Sequence, residues 1–316
     1  MEIISNITDI CIQRKTAAAI GKFDGIHIGH RRLLEEILAR KKDGLAACVF
    51  TFDPPPAYLF GNFDGKELTT KAEKRRLFEK MGVDILIEFP LNRETAATPP
   101  ETFAREILAG RMNARFLAAG IDLSFGAKGA GNAALLKKMG PELGFECRTI
   151  DKVCLDGKEV SSTLVRSRVE RGEMEAACSL LGMPYMVSGE VVIGNRIGRR
   201  IGFPTVNVLP DENKLLPPNG VYFSSVWIEE KQYRAITNVG YKPTVTSEKV
   251  MGVESYLYDF DENIYGRQVE VYLHAFHRPE QRFENVEALK RQLQRDIDSG
   301  KNYSENYCKI LSFPVK

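Results

Sequence analysis

Along the N-terminal half, short continuous apolar runs alternate with stretches whose apolar residues recur three and four apart. Residues 17–20 (AAAI) form the first short run, and 31–38 (RRLLEEIL) the first periodic stretch, so a buried strand is expected to lead into a helix. Residues 45–52 (LAACVFTF) read as a second buried strand, stopped by Asp53-Pro54-Pro55-Pro56, which cannot continue a ladder. Thr70-Lys71-Ala72-Glu73 is a capping box that opens a helix, and Gly82 ends it. Residues 84–89 predict the next strand, Thr98-Pro99-Pro100-Glu101 a helix start with proline in its first turn, and 115–119 a further strand. Strand and helix in alternation predict a parallel sheet covered on both faces. Ligands of such sheets bind at the carboxyl ends of the strands.

The pattern changes further on. Asp156-Gly157, inside residues 153–160, is a type I′ hairpin signal, and a helical stretch then runs from Ser162 to Arg171-Gly172. A short helix over 173–181 ends at Gly182-Met183-Pro184. From there the apolar segments are short and evenly spaced: 186–192, 221–227, 234–237, 253–258 and 269–276, with one closing helix near 286–298. That spacing predicts an antiparallel barrel. The fold class expected is therefore α/β: an N-terminal Rossmann-like parallel sheet (1–183), then a C-terminal antiparallel β-barrel with a closing helix (184–316).

Composition narrows the function classes. The 316 residues suffice for two cores, and 44 Lys+Arg against 42 Asp+Glu leave a net charge of +2, too even for a nucleic-acid surface. No apolar run approaches the ~18 residues of a membrane span, and the first residues, Met1-Glu2-Ile3, carry an acid and no basic segment, so neither membrane nor secretion signal is expected. The six cysteines (Cys11, Cys48, Cys147, Cys154, Cys178, Cys308) lack any C-x-x-C spacing and are expected to be reduced thiols of a cytoplasmic protein.

Candidate chemistry collects in four places. The first is Gly21-Lys22-Phe23-Asp24-Gly25-Ile26-His27-Ile28-Gly29-His30, where a strand turns into a helix. Glycines let the backbone approach a ligand, a helix N-terminus offers free N–H groups to an anion, and imidazoles add donors, so the stretch reads as a nucleotide-phosphate site. The plainer alternative is a turn in which His27 and His30 cap or pack beneath the helix. The second is the glycine-rich loop from Gly120 to Asn132, either a site wall or a surface loop. In the third, Ser161-Ser162-Thr163-Leu164-Val165-Arg166, the hydroxyls can cap a helix and also, with Arg166, grip an anion. The fourth, Gly194-Asn195-Arg196-Ile197-Gly198-Arg199-Arg200-Ile201-Gly202-Phe203-Pro204-Thr205-Val206-Asn207, looks like a phosphate-covering loop, or else a basic hairpin tip. Thr205 and Asn207 offer oxygens to Mg²⁺. No G-K-[ST] follows, so it is not a Walker A loop. Glu254 stands in an otherwise apolar and aromatic strand, either on its outer face or as a placed base. His274 and His277, three apart on a strand, are expected on opposite faces and structural.

The first stretch resembles the H-x-G-H signature of nucleotidyltransferases, in the longer G-x-F-D-G-x-H-x-G-H form of bacterial FAD synthetases. Gly120-Ile121-Asp122-Leu123-Ser124-Phe125-Gly126 resembles their G-x-D-x-x-F-G segment, and residues 161–166 their S-S-T-x-x-R motif. Residues 202–207 resemble the G-F-P-T-x-N signature of riboflavin kinases; further matches are Leu216 to Tyr222, Asn238 to Thr244, and Asp259-Phe260 to Tyr265-Gly266. In their order the motifs resemble the bifunctional bacterial riboflavin kinase/FAD synthetases. The resemblance implies two ATP-dependent reactions, riboflavin to FMN and FMN to FAD with release of pyrophosphate, with Mg²⁺ bound to ATP. It implies His27, His30 and Glu254 as catalytic. It implies Gly21, Phe23, Asp24, Gly25, Gly29, Ser161, Ser162, Thr163, Arg166, Gly194, Gly198, Arg199 and Gly202 at ATP phosphates. Asp122, Phe125 and Asn132 would lie at the flavin, and Thr205 and Asn207 at the metal. The partners implied are riboflavin, FMN and ATP, without nucleic acid or membrane. Pro55 and Lys22 depart from the family's usual residues near the presumed flavin or nucleotide pocket.

Overall fold

The structure, a computed structural model, describes residues 1–61, 65–194, 197–243 and 249–303. Asn195, Arg196, Thr244 and Cys308, and the side chain of Arg199, lie outside the described residues. The described residues pack as two compact units, one from 1–65 and 74–161, the other from 66–73 and 162–303.

The first unit holds a six-stranded sheet, β1 (Glu2–Ser5), β2 (Thr16–Ile20), β3 (Ala46–Asp53), β4 (Ile85–Pro90), β5 (Ala114–Gly120) and β6 (Glu146–Ile150). Every pairing is parallel, in the order β1-β4-β3-β2-β5-β6. All five residues of β2 are buried, as a central strand covered on both faces requires. Ala18, Ile20, Cys48, Phe50, Ile87 and Leu117 build one side of the core with Phe103, Ile107 and Leu136. Sequence order runs outward from β2 to β3 and β4, then returns to β5 on its other side. The crevice between the carboxyl ends of β2 and β5 is thus the switch point where ligands of such sheets bind.

The capping box forms as expected: the Thr70 N–H donates to Glu73 Oε2 (3.0 Å) and the Glu73 N–H to Thr70 Oγ1 (3.3 Å). Asp156 and Gly157 both take the positive φ (49° and 74°) of a type I′ turn. The pattern of apolar positions did not reveal β1, β6 or the helix Ala133–Leu143. Both strands are sheet edges with largely exposed or half-buried residues, so no continuous apolar run marks them.

The second unit is a closed antiparallel barrel of β7 (Tyr185–Val192), β8 (Val206–Pro210), β9 (Gly220–Ile228), β10 (Lys231–Pro243), β11 (Lys249–Leu257) and β12 (Gln268–Pro279), ordered β7-β8-β11-β10-β9-β12. The closing helix spans Val286–Asn302 and is capped by the Asn285 side chain. Helices Ser162–Glu170 and Met174–Leu181 belong to this unit, and the second packs on β7 and β12. By their contacts the two units divide after Ser161.

His274 is buried and bonded to Ser225 Oγ (2.9 Å), and His277 lies 3.3 Å from Asp296 Oδ1. Each occupies an extra position where β12 slips register against β9. Cys11, Cys48, Cys147 and Cys154 are free thiols.

Candidate active sites

In the first unit the chain leaves β2 at Ile20 and crosses a tight turn before the helix Ile28–Ala39. Gly25 (φ 86°) supplies the left-handed backbone without strain, but Phe23 (φ 50°) and Ile26 (φ 41°) adopt it at a cost. Complete burial of both side chains holds them there. The Phe23 ring lies 5.1 Å from that of His30 and edge-on to Phe78. His27 is the N-cap residue: its Nδ1 accepts the His30 N–H at 3.3 Å. The plainer reading of His27 as a cap is therefore true, and it leaves Nε2 as the protonated nitrogen of a neutral ring.

The His27 and His30 rings stack at 3.7 Å. Burial lowers the pKa of His27 to about 4, against a smaller upward pull from Asp122. Burial also holds His30 well below 6.5, assisted by His27 and Lys74. Both imidazoles are thus neutral at pH 7. His30 Nδ1 is buried without a hydrogen-bond partner among the described residues, which is costly unless a ligand meets it. Gly29 lies against His27; a Cβ there would stand 3.1 Å from its Nδ1.

Asp122 follows β5 on the other side of the crevice, and its field reaches His27. Phe125 is buried in the core 5.4 Å from Phe103, and the Asn132 side chain accepts the Leu135 N–H (2.9 Å) as the cap of the helix Ala133–Leu143. The switch point thus brings Phe23, Gly25, His27, Gly29, His30 and Asp122 together, while Phe125 and Asn132 serve the wall behind. Ser162, Thr163 and Arg166 stand in the first turns of a helix of the second unit, where Arg166 donates to the Lys66 carbonyl at 2.6 Å.

The second unit holds a cavity of about 620 Å³ between the barrel wall and the closing helix. Glu254 lines it and accepts a hydrogen bond from the Thr205 hydroxyl. It faces Asn207 on β8 and Asn238 on β10, one on each side. The loop motif ends at Asn207, and its last two residues open strand β8, which sets Asn207 opposite Glu254, a residue that lines the cavity. Two preceding glycines make close approaches here, Gly194 and Gly198, the second within a short helix, Ile197–Arg200, where a loop was expected. A Cβ on Gly194 would come within 2.7 Å of the Asn207 amide, and one on Gly198 within 2.3 Å of the Phe203 carbonyl and 3.3 Å of Thr205 Oγ1.

Sequence reasoning missed the opposite end of the cavity. Leu289, Leu293 and Ile297 of the closing helix line it with Phe283, Ile236 and Tyr256. Asp296 sits on the same helical stripe, and a carboxylate at an otherwise apolar i, i+4, i+7, i+8 position was the available signal.

Family models match both halves: FAD synthetase over residues 9–164 and riboflavin kinase over 181–304. The bifunctional riboflavin kinase/FMN adenylyltransferase of Listeria monocytogenes is 34% identical over 88% of this chain and 89% of the relative. That of Escherichia coli K12 is 37% identical over 90% of this chain and 91% of the relative. The chain belongs to this bifunctional family. The enzyme also shares its fold with a crystal structure named as a macrolide-efflux protein from Streptococcus pneumoniae (TM-score 0.83, 32% identity, 96% of this chain and 99% of that one). No helix among the described residues of the enzyme is long and apolar enough to cross a membrane. ATP is the co-substrate that both family activities imply.

Proposed function

We propose that the enzyme phosphorylates riboflavin to FMN in the barrel (184–316) and adenylylates FMN to FAD on the parallel sheet (1–183). The observation that carries this is Glu254, in the cavity, hydrogen-bonded to Thr205 and paired across the sheet with Asn207. Glu254 takes the proton of the riboflavin 5′-hydroxyl as that oxygen attacks the γ-phosphorus of ATP, the bond to the β,γ-bridging oxygen breaks and ADP leaves. Thr205 and Asn207 present oxygens that fit Mg²⁺, beside a cradle that any Cβ on Gly194 or Gly198 would fill. Bound there, the cation supplies positive charge for the phosphates. Gly194, Gly198, Arg199 and Gly202 cover the phosphate chain.

On the sheet, the FMN phosphate attacks the α-phosphorus of a second ATP and pyrophosphate leaves. His27 donates from Nε2, and His30 meets a phosphate oxygen with its own ring. Helix N–H groups, Gly21, Phe23, Asp24, Gly25 and Gly29 shape the same pocket. Ser161, Ser162, Thr163 and Arg166 grip phosphate. Asp122 faces the flavin, with Phe125 and Asn132 supporting it from behind. ATP dependence favours the cytoplasm, and the near-even charge favours small-molecule partners without nucleic acid.

The test is to incubate purified full-length enzyme with riboflavin, ATP and Mg²⁺ and separate the flavins by chromatography. FMN should appear first and FAD after it. Riboflavin unchanged in the presence of folded protein would refute the reading.

A further inference from the structure

Strand register across the barrel places Arg278, Val221, Asn238, Glu254 and Asn207 in one row on neighbouring strands. The first four line the cavity, so the row looks inward. Arg278 is three strands from Glu254, roughly 14 Å along the sheet at 4.7–4.9 Å per strand. Apart from Asn238, the intervening wall is apolar: Val221, Ile236 and Tyr256 on the barrel, Leu289, Leu293 and Ile297 on the helix. The cavity therefore has an end at Glu254, a mostly apolar middle and a polar far end where Arg278 lies with Asp296, Glu280, Gln281 and Arg282.

The Arg278 guanidinium is held firmly. Its Nε donates to both oxygens of Asp296 (2.9 and 3.1 Å), its Nη2 to Oδ2 (2.6 Å) and its Nη1 to the Pro279 carbonyl (3.0 Å). Asp296, 1% exposed, also accepts from Gln292 Nε2 (2.8 Å) and lies 3.3 Å from His277 Nε2. The carboxylate is saturated by these bonds. An arginine carries five N–H donors, so one on each of Nη1 and Nη2 remains for a ligand.

We propose that Arg278, positioned by Asp296, reads the carbonyl edge of the flavin ring and is a specificity-determining residue of the kinase step; this rests on the kinase reading above. The ring attached to the ribityl chain has two edges with adjacent acceptors, N1 beside the C2 carbonyl and N5 beside the C4 carbonyl. A planar two-pronged donor matches either, and a dimethylbenzene edge offers it nothing. With the 5′-hydroxyl at Glu254, the ribityl chain and the near half of the ring fill the apolar middle and bring one such edge to Arg278.

The alternative is a purely structural ion pair that pins the closing helix to β12. Riboflavin, 2-thioriboflavin and 4-thioriboflavin distinguish the two, because sulfur is a much weaker acceptor than oxygen. The full-length enzyme should phosphorylate one thio analogue with kcat/KM about tenfold below riboflavin. In Arg278→Met that preference should vanish, with KM for riboflavin raised about 10- to 100-fold and kcat little changed. Asp296→Asn should weaken the preference in the same direction, a change that simple loosening of the helix would not produce. FAD formation from supplied FMN should persist in both variants.

Equal use of all three flavins by the wild type, which needs no variant, would overturn the proposal. So would a thio preference that survives in Arg278→Met, because sulfur would then be disfavoured by size alone. Failure of the wild type to phosphorylate riboflavin at all would instead strike the underlying kinase reading.

Discussion

The two proposed sites would meet phosphate by different physical means. On the sheet, the site is backbone and neutral donors: a turn strained at Phe23 and Ile26, a helix N-terminus, and two stacked imidazoles kept uncharged by burial. In the barrel, it is a carboxylate and an amide placed by register on adjacent strands, with a hydroxyl just before one of them, beside glycines that leave room. The difference suits the tasks. Adenylyl transfer needs developing charge on pyrophosphate to be met, and preorganised donors do that without a base. Phosphorylating an alcohol also needs a proton removed, and a carboxylate in a cavity does that.

The sharpest way to break the contrast is to remove both imidazoles. Each donor aimed at the leaving group is worth roughly 10²–10³ in rate. His27→Ala/His30→Ala should therefore nearly abolish FAD formation, less than additively because the rings touch. FMN should then accumulate from riboflavin, as followed by chromatography on protein shown to be folded by circular dichroism. FAD formation within tenfold of wild type would make the histidines structural. The converse variant is Glu254→Gln, which keeps shape and loses the base. FMN formation should fall about 10²–10⁴-fold, with FAD formation from supplied FMN intact. Unchanged FMN formation would strip Glu254 of its catalytic role.

Much of this was legible in the chain, for identifiable reasons. The parallel sheet announced itself through fully buried strands such as β2, and the barrel through short, evenly spaced apolar runs. The histidine pair was visible because glycines, strand and helix coincide at one turn. That His27 caps the helix while keeping Nε2 for a ligand was not, since sequence offered the two roles as alternatives. The placement of Glu254 was equally hidden: an isolated carboxylate in a strand has two faces to choose from, and the cavity that it lines decides between them. Arg278 and Asp296 stayed hidden because their partnership spans helix and strand and matches no local spacing.

A subtler probe tests whether the barrel site depends on close approach as the sheet site depends on strain. In Gly198→Ala the added methyl would meet the Phe203 carbonyl at 2.3 Å, so the loop must shift and carry Thr205 with it. A displacement of about 1 Å can cost up to 10²-fold, so FMN formation should drop about 10- to 100-fold. FAD formation from FMN should not change. Equal losses in both reactions, measured by the same flavin assay, would mean that the substitution harms the whole chain and says nothing specific about the loop.

The smallest effect concerns a feature that the two units share, buried neutral histidine. His27 in the sheet unit and His274 in the barrel both have a pKa lowered from 6.5 to about 4 by burial. In each case the unfolded chain binds a proton between pH 6.5 and 4 that the folded chain does not. Stability contributed by the neutral ring is thus fully present above pH 6.5 and is lost as pH falls towards 4. A shift of this size corresponds to about 3 kcal/mol per histidine at the acid end. His274→Gln retains a donor for Ser225 near the Nε2 position but does not titrate, so urea unfolding of the variant should show a shallower fall in stability across that window. At pH 7.5 both flavin reactions should persist, because His274 lies outside either site. If the variant's stability falls with acid as steeply as the wild type's, His274 is protonated in the folded barrel, and its unpartnered Nδ1 has found an acceptor.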